Sequence, residues 1–211
     1  MEITYYGANC FKVISKNSTI IVDDNLKTLG LNSLSLAGVS AGLYTQILLK
    51  SESQSSETII IDGPGEYELN DLTVLGVQAR AYMDKEDKKS ATIYKVIDGD
   101  YKLLFLGHVQ PKLDAKVLDK IGVIDVLFIP IGGNGYTLDA VDATEVIKLL
   151  SPKIIVPCHY EDSAVKYDVP MNGLEEFYTK LGATDTNHMD TLKLKGEITE
   201  SIITLERQAQ G

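Results

Sequence analysis

The sequence has only two cysteines and three histidines among its 211 residues, and its longest apolar runs are short. Cys10 and Cys158 are too few for the disulfide framework of a small secreted protein. No apolar run approaches the ~20 residues that a membrane-spanning helix needs. Residues 1–6 contain neither the basic segment nor the apolar segment of a secretory signal. We therefore expect a cytoplasmic protein.

Positive charge is also scarce in this sequence. Twenty lysines and arginines stand against thirty aspartates and glutamates, which gives a net charge of −10. Nucleic-acid binding needs a basic stripe that neutralises phosphates. The densest basic cluster, residues 85–89, reads Lys-Glu-Asp-Lys-Lys and nearly neutralises itself. Nucleic acids and anionic membrane surfaces are therefore not expected as partners.

The remaining composition is that of a folded globular protein, with 44% hydrophobic and 24% charged residues. Strand-like segments dominate the first half and helix–strand alternation the second, which predicts a layered α/β sandwich of one domain over residues 1–211. Strands are predicted at 11–14, 19–22, 46–49, 58–61, 72–77, 92–97, 101–106, 125–129 and 153–156, with one or two more in 191–206. Helices are predicted at 113–121, from Thr137 as N-cap to residue 150, and at 174–181 before Gly182.

Two of the three histidines directly follow predicted strands. His108 comes after strand 101–106 and His159 after strand 153–156. The carboxyl ends of strands in α/β folds are where ligand sites gather, so the two rings are candidates for one site. The alternative is two separate, hydrogen-bonded loop histidines. His188 lies in a polar segment and is interpreted as a surface residue.

Several other residues have both a functional and a purely structural interpretation. Asp23 ends the strand at 19–22, where a carboxylate either binds a cation or caps a turn. The glycine cluster at 132–135 precedes the best helix, whose N-terminus either holds an anion or starts from a plain turn. The two cysteines are interpreted as inert packing thiols, and Tyr160 as a packing aromatic. On the residues alone, the sequence predicts an α/β domain with two suggestive histidines.

An ordered set of motifs extends this interpretation. Residues 1–13, 62–68, 125–133, 136–140 and 152–160 together resemble the metallo-β-lactamase superfamily, in particular its L-ascorbate-6-phosphate lactonase-like branch of metal-dependent hydrolases. The resemblance extends from residue 1 to about residue 182. It implies an αββα four-layer sandwich, with two mixed sheets flanked by helices and a metal site at one rim. It also implies a homo-oligomer, since related proteins often assemble.

The resemblance breaks at the metal ligands. The family places H-x-H-x-D-H in the loop after an early buried strand, and the matching loop here, residues 51–57, has no histidine and no aspartate. Met83 stands where the branch usually has a histidine, and His108 stands where it has the bridging aspartate. Near the first hairpin, the family commonly has Gly-His-Ser or Gly-His-Ala, and this sequence has Gly7-Ala8-Asn9 instead. A further pocket histidine is therefore missing. His159 alone keeps the identity that the resemblance implies.

Three hypotheses follow. The leading one is a non-catalytic relative, a pseudoenzyme with a degenerate metal site and no cofactor, whose fold binds an unknown small molecule or protein. The alternative is a metal-dependent hydrolase of the lactone or phosphoester type, with zinc or manganese in a rebuilt site. The third is a structural subunit that partners an active homologue.

The residues of these hypotheses lie around one expected cavity. If the resemblance holds, the rings of His108 and His159 lie within roughly 10 Å of each other, because both positions would serve one dinuclear site. The candidate pocket residues are Asn9, Met83, His108, His159 and Tyr160. The candidate ligands of a rebuilt site are His108, His159, Asp23, Glu52 and Asp84.

Overall fold

The computed structural model describes residues 1–49, 57–183 and 186–209. Two mixed β-sheets lie face to face and are flanked by helices, which confirms the expected architecture. The strands are β1 (Glu2–Gly7), β2 (Cys10–Ile14), β3 (Thr19–Val22), β4 (Ala41–Leu43), β5 (Ile59–Ile61), β6 (Gly65–Leu69), β7 (Leu72–Ala79), β8 (Ala91–Asp98), β9 (Tyr101–Phe105), β10 (Val126–Pro130), β11 (Ile154–Cys158), β12 (Asn187–Met189), β13 (Thr191–Lys193) and β14 (Ser201–Leu205). The α-helices are α1 (Ala115–Ile121), α2 (Ala140–Leu150) and α3 (Leu174–Leu181).

The first sheet has six strands in the order β13-β1-β2-β3-β4-β5. Its antiparallel hairpin β2–β3 pairs Phe11 with Val22, and both strands lie at predicted strand segments. The strands β3, β4 and β5 are parallel to one another. The outer face of this sheet is covered by a short 3₁₀ helix, Leu26–Leu29, and by Val39.

The second sheet has eight strands in the order β12-β14-β11-β10-β9-β8-β7-β6. Its centre, β9, β10 and β11, is parallel, and β10 is buried along its whole length. Continuous apolar runs are typical of parallel strands that are covered on both faces. One face meets the first sheet, where Phe105 and Phe128 stack with ring centroids 4.4 Å apart and Phe11 packs against both. The other face carries α1, α2 and α3.

The predicted buried strand at 46–49 is wrong. The strand that pairs with β3 and β5 is β4, and residues Ile47–Leu49 form a short 3₁₀ helix instead. Gln46 makes only an isolated bridge to Ala91, and Ile47 is 64% exposed. Ala41 and Gly42 have little intrinsic strand propensity, so pairing on both sides decides their conformation rather than local preference.

The start of α2 differs from the prediction by two residues. Asp139, not Thr137, is the N-cap, and its Oδ1 accepts the backbone N–H groups of Val141 and Asp142, each at 2.9 Å. Thr137 is fully buried, and its hydroxyl has no partner among the described residues. Because its own carboxylate occupies the helix N-terminus, α2 does not offer the anion site that the glycine cluster suggested.

Strands β1, β6 and β12 lie outside the predicted strand segments, and the remaining elements follow the prediction with small shifts. α3 ends at Gly182, which has a φ of 71° and caps the helix as expected. β11 continues through Pro157 to Cys158 rather than stopping before the proline. His188 lies on β12, half exposed, with Nδ1 2.9 Å from Oε1 of Glu206. In the ranges described, the longest helix has 11 residues, and none is long and apolar enough to cross a membrane.

Candidate functional site

His108 and His159 meet at one edge of the second sheet. His159 follows β11 directly, and His108 lies three residues beyond the end of β9. Because β9, β10 and β11 are parallel, the segments after β9 and β11 leave the sheet at the same edge. The two ring centroids are 4.5 Å apart and the planes are nearly perpendicular, at 87°. The expected proximity of the two imidazoles is therefore confirmed.

Unusual backbone conformations hold both histidines in place. His159 has a φ of 50°, and its backbone N–H donates to the carbonyl oxygen of Ala8 at 2.9 Å. Gly107, just before His108, has a φ of 65°, and a Cβ atom there would lie 2.6 Å from the side chain of Thr45. A Cβ atom at Gly132 would lie 2.3 Å from the carbonyl oxygen of His159. Such conformations persist only where the surrounding structure imposes them.

Two tyrosines complete an aromatic wall around the imidazoles. Tyr136 lies 5.1 Å from the ring of His108, and Tyr167 lies 4.9 Å from the ring of His159. These four rings line an open pocket, which we call the rim pocket, and about 30 Å³ inside it is accessible to a water-sized sphere. The other residues that line it are Asn25, Leu29, Asp168, Val169 and Met171.

Burial keeps both imidazoles neutral at physiological pH. Each histidine is only 3% exposed, and loss of solvent lowers the pKa of His159 to about 4. Burial, together with the neighbouring His159, holds the pKa of His108 well below its usual value. Nε2 of His108 and Nδ1 of His159 are buried and have no hydrogen-bond partner within the described ranges. Unpaired buried polar atoms are uncommon and call for a ligand or solvent partner.

Asp23 does not face the imidazole pair as a free ligand. Its carboxylate accepts the backbone N–H of Thr45 at 2.7 Å and the hydroxyl of Thr45 at 2.6 Å. Burial raises the pKa of Asp23 to about 7, although these two hydrogen bonds oppose the shift. Asp23 lines a separate small cavity, with Asn9, Gly107 and Cys158 among its walls. The turn interpretation of Asp23 therefore fits the structure better than the cation interpretation.

Asp84 is likewise occupied by protein donors. It accepts the backbone N–H of Ala81 at 2.9 Å, and the backbone N–H and hydroxyl of Ser90, each at 2.7 Å. These bonds close the loop between β7 and β8. Met83, in the same loop, is 73% exposed and lies outside the residues that line the rim pocket. The expectation that Met83 is a pocket residue is therefore wrong. Glu52, the remaining candidate ligand, lies outside the described residues.

The last two candidate pocket residues lie behind the imidazole pair rather than in the rim pocket. Oδ1 of Asn9 accepts the thiol of Cys158 at 3.4 Å, and both residues are buried. Burial holds the pKa of the Cys158 thiol well above its usual value, so the sulfur stays protonated. Tyr160 packs against Tyr5, with centroids 6.2 Å apart, at the edge of the core.

The donor set does not fit a zinc site. A protein zinc site needs three or four nitrogen, sulfur or oxygen ligands that converge on the ion. The part of the chain that the structure describes contains no group of three or more histidine, cysteine, aspartate or glutamate side chains placed to hold a metal. Two imidazoles converge, while Asp23 and Asp84, the candidate carboxylates that the structure describes, accept hydrogen bonds from Thr45 and Ser90. Among the described residues, the chemistry available is that of two neutral imidazoles and one acidic side chain, Asp168, in an aromatic pocket.

Of the nine residues that line this pocket, the sequence predicted only His108 and His159 as pocket residues. Tyr136, Tyr167, Asp168 and Met171 line it, but only the motif around Tyr136 was singled out. The segment 161–173 has no helical or strand period, so no pattern pointed to its inward side chains. Its position depends on long-range contacts, such as the backbone N–H of Asn172 donating to the carbonyl oxygen of Gly132.

Comparison with known protein families identifies this architecture. The model of the family described as "Beta-lactamase superfamily domain" matches residues 2–159. A UPF0173 protein of Pyrococcus abyssi is 26% identical over 184 residues, which cover 76% of this chain and 83% of that protein. A UPF0173 metal-dependent hydrolase of Carboxydothermus hydrogenoformans is 45% identical over 62 residues, but this stretch covers only 29% of this chain and 27% of that protein.

Solved structures show the same fold at low sequence identity. A protein of Thermotoga maritima, described as a candidate Zn-dependent hydrolase of the metallo-β-lactamase superfamily, superposes with a TM-score of 0.77 at 22% identity and covers 97% of this chain and 98% of its own. The isothiocyanate hydrolase from Delia radicum gut bacteria gives a TM-score of 0.64 at 14% identity, covering 98% of this chain and 97% of that one. With a family match over most of its length and this fold, the chain belongs to the metallo-β-lactamase superfamily.

Proposed function

We propose that this protein is a non-catalytic member of the superfamily that uses the rim pocket to bind a small molecule. One observation carries the proposal: His108 and His159 meet as buried, neutral rings with unpaired nitrogens, while the carboxylates of Asp23 and Asp84 accept protein donors. Groups in this state are suited to hydrogen bonding with a ligand.

The hydrolytic chemistry of metal-dependent relatives needs more than this pair. A catalytic zinc ion is held by three protein ligands and keeps one open position, where bound water loses a proton near neutral pH. With two imidazoles only, an ion would remain mostly hydrated and its water would be weakly acidified. His108 in place of the bridging aspartate also supplies no negative charge between two cations.

The pocket itself supports a binding role. About 30 Å³ inside it is accessible to a water-sized sphere, which is room for one or two waters or one polar head group, so the rest of a ligand would lie across the open mouth. Small-molecule sites combine apolar walls with a few polar groups. Here the walls are aromatic and aliphatic, and the polar groups include the two imidazoles, Asn25 and Asp168. The strained backbone at Ala8 and His159 fixes the shape of the pocket before a ligand arrives.

Metal analysis tests the proposal directly. The protein is produced in medium supplied with zinc and manganese and purified without chelator, and its metal content is measured by mass spectrometry. We expect less than about 0.2 ion per chain, because two imidazoles hold an ion only weakly. EDTA should leave the melting temperature unchanged, since a chain of this length folds without a metal.

Three variants separate the proposal from its alternative. His159→Ala removes one imidazole of the pair, His188→Ala removes the exposed imidazole on β12, and Glu52→Gln removes the remaining candidate carboxylate. We expect all three to match the parent in metal content and to show no hydrolysis of lactones or phosphodiesters. About one ion per chain, lost in His159→Ala and Glu52→Gln but kept in His188→Ala, together with hydrolysis, would overturn the proposal in favour of a metal-dependent hydrolase with a rebuilt site.

A further inference from the structure

The charge of the rim pocket is one-sided. Asp168, which is exposed, is the only acidic side chain among the described residues that line it, and no lysine or arginine is among them. The nearest basic residue in sequence, Lys166, packs its side chain over Gly30. An anionic ligand would therefore be buried without a positive partner, at a high cost in free energy.

The aromatic wall favours the opposite charge. The rings of Tyr136 and Tyr167 flank the imidazole pair on two sides, and the face of a tyrosine ring attracts a cation within about 6 Å of its centroid. Asp168 acts on the same space, because its charge, after burial, raises the pKa of the Tyr136 hydroxyl. The carboxylate of Asp168 and the faces of aromatic rings both produce a negative electrostatic potential, which favours a cation.

The imidazole pair supplies directional partners. A neutral imidazole has one nitrogen that accepts a hydrogen bond, and an ammonium group has two or three N–H groups to donate. Nε2 of His108 and Nδ1 of His159 are more than nine-tenths buried and unpaired among the described residues. Both rings line the rim pocket, and an ammonium head group is about the size of one water, so it can enter the pocket and donate to an imidazole nitrogen while the rest of the ligand lies at the mouth. The net charge of −10 also steers cations toward the protein.

We propose that the rim pocket binds a small organic cation, an ammonium group carried on an apolar or aromatic body. Asp168 and the face of Tyr136 select the charge, the imidazoles of His108 and His159 orient the N–H groups, and Met171 contacts the apolar body. This inference rests on the proposed binding function and names the chemical class of its ligand.

Three probes of equal shape and different charge test the selection. Benzylammonium, benzyl alcohol and benzoate share one ring and carry charges of +1, 0 and −1. Their binding is measured by isothermal titration calorimetry at neutral pH and low salt. We expect benzylammonium to bind roughly tenfold more tightly than benzyl alcohol, and benzoate to bind more weakly than either.

Matched variants assign the selection to the pocket. Asp168→Asn should weaken benzylammonium roughly tenfold while leaving benzyl alcohol unchanged. Asp119→Asn removes the same charge from the exposed face of α1 and should change neither. If Asp168→Asn does not fold, Tyr136→Leu serves as the second variant, and it should also weaken benzylammonium more than benzyl alcohol.

The outcomes separate this inference from the function on which it rests. Benzoate binding as tightly as benzylammonium, no binding of any probe, or equal effects of Asp168→Asn and Asp119→Asn would overturn the cation inference. If metal analysis of the same samples finds no metal, the non-catalytic function survives that result. Stoichiometric metal with hydrolysis would instead overturn the proposed function.

Discussion

The backbone N–H of His159 donates to the carbonyl oxygen of Ala8, and both residues have a positive φ, at 50° and 49°. One hydrogen bond therefore joins the first hairpin to the end of β11, and it does so between two strained positions. Strain of this kind costs about 1–3 kcal/mol for each residue and is retained where the fold holds the conformation. Both positions lie beside the candidate site rather than in a surface turn.

The buried imidazoles should make stability fall in acid. Burial lowers the pKa of His159 to about 4, so between pH 6.5 and 4 the unfolded chain binds a proton that the folded protein does not. Relative to His159→Asn, the wild-type free energy of unfolding should fall over this range by on the order of 3 kcal/mol and then level off. Urea unfolding at several pH values measures this difference. His188→Asn should keep the wild-type dependence, and a parallel decline in His159→Asn would contradict a neutral buried ring.

Asp23 should produce the opposite pH dependence. Burial raises its pKa to about 7 from 3.8, so the folded protein retains a proton that the unfolded chain releases, and stability falls as pH rises through this range. Asp23→Asn is neutral, and its amide can accept the N–H of Thr45 and donate to the hydroxyl. The variant should therefore gain stability relative to the wild type between pH 4 and 8, by up to about 4 kcal/mol. Asp119→Asn is the control, and a constant difference for Asp23→Asn would show that the carboxyl is already ionised.

Replacing Gly107 by alanine should cost far more stability than replacing another glycine with a similar φ. Gly107→Ala places a Cβ atom 2.6 Å from Thr45, whereas Gly99 has a φ of 56° with open space around it. We expect Gly107→Ala to cost about 3 kcal/mol or more and Gly99→Ala about 1 kcal/mol. Thermal and urea unfolding of the two variants give the comparison. Equal losses would mean that Thr45 moves aside easily, and that the position of His108 is not tightly fixed.

The start of α2 can be tested by a pair of substitutions with opposite expected signs. Asp139→Ala removes the carboxylate that caps two backbone N–H groups and should destabilise the protein by about 1–2 kcal/mol. Thr137→Val replaces a buried, unpaired hydroxyl by a methyl of the same shape and should be neutral or stabilising. Urea unfolding distinguishes them. A larger loss in Thr137→Val than in Asp139→Ala would restore Thr137 as the N-cap.

The sequence predicted those parts of the fold whose signal is local. The continuous apolar run of β10 and the helical spacing of apolar residues in α2 are both local signals, and both elements are confirmed. The short strand β4 could not be predicted, because alanine and glycine become a strand only when β3 and β5 lie on either side. The meeting of His108 and His159 followed from the resemblance, since parallel strands bring distant segments to one edge. The wall formed by Tyr167 and Asp168 had no such signal, because a loop takes its position from contacts rather than from a period.

The contacts behind the imidazole pair join residues that are far apart in the sequence, and this separation affects folding. Asn9 and Cys158 touch although they are 149 positions apart in the sequence, so this region closes only after most of the chain has folded. Contacts of high sequence separation form late and slow the search for the native state. If the proposed ligand binds in the rim pocket, it binds only the complete native fold. By mass action it would then lower the population of every partly folded form at once, and it would slow degradation of the whole molecule rather than of one loop.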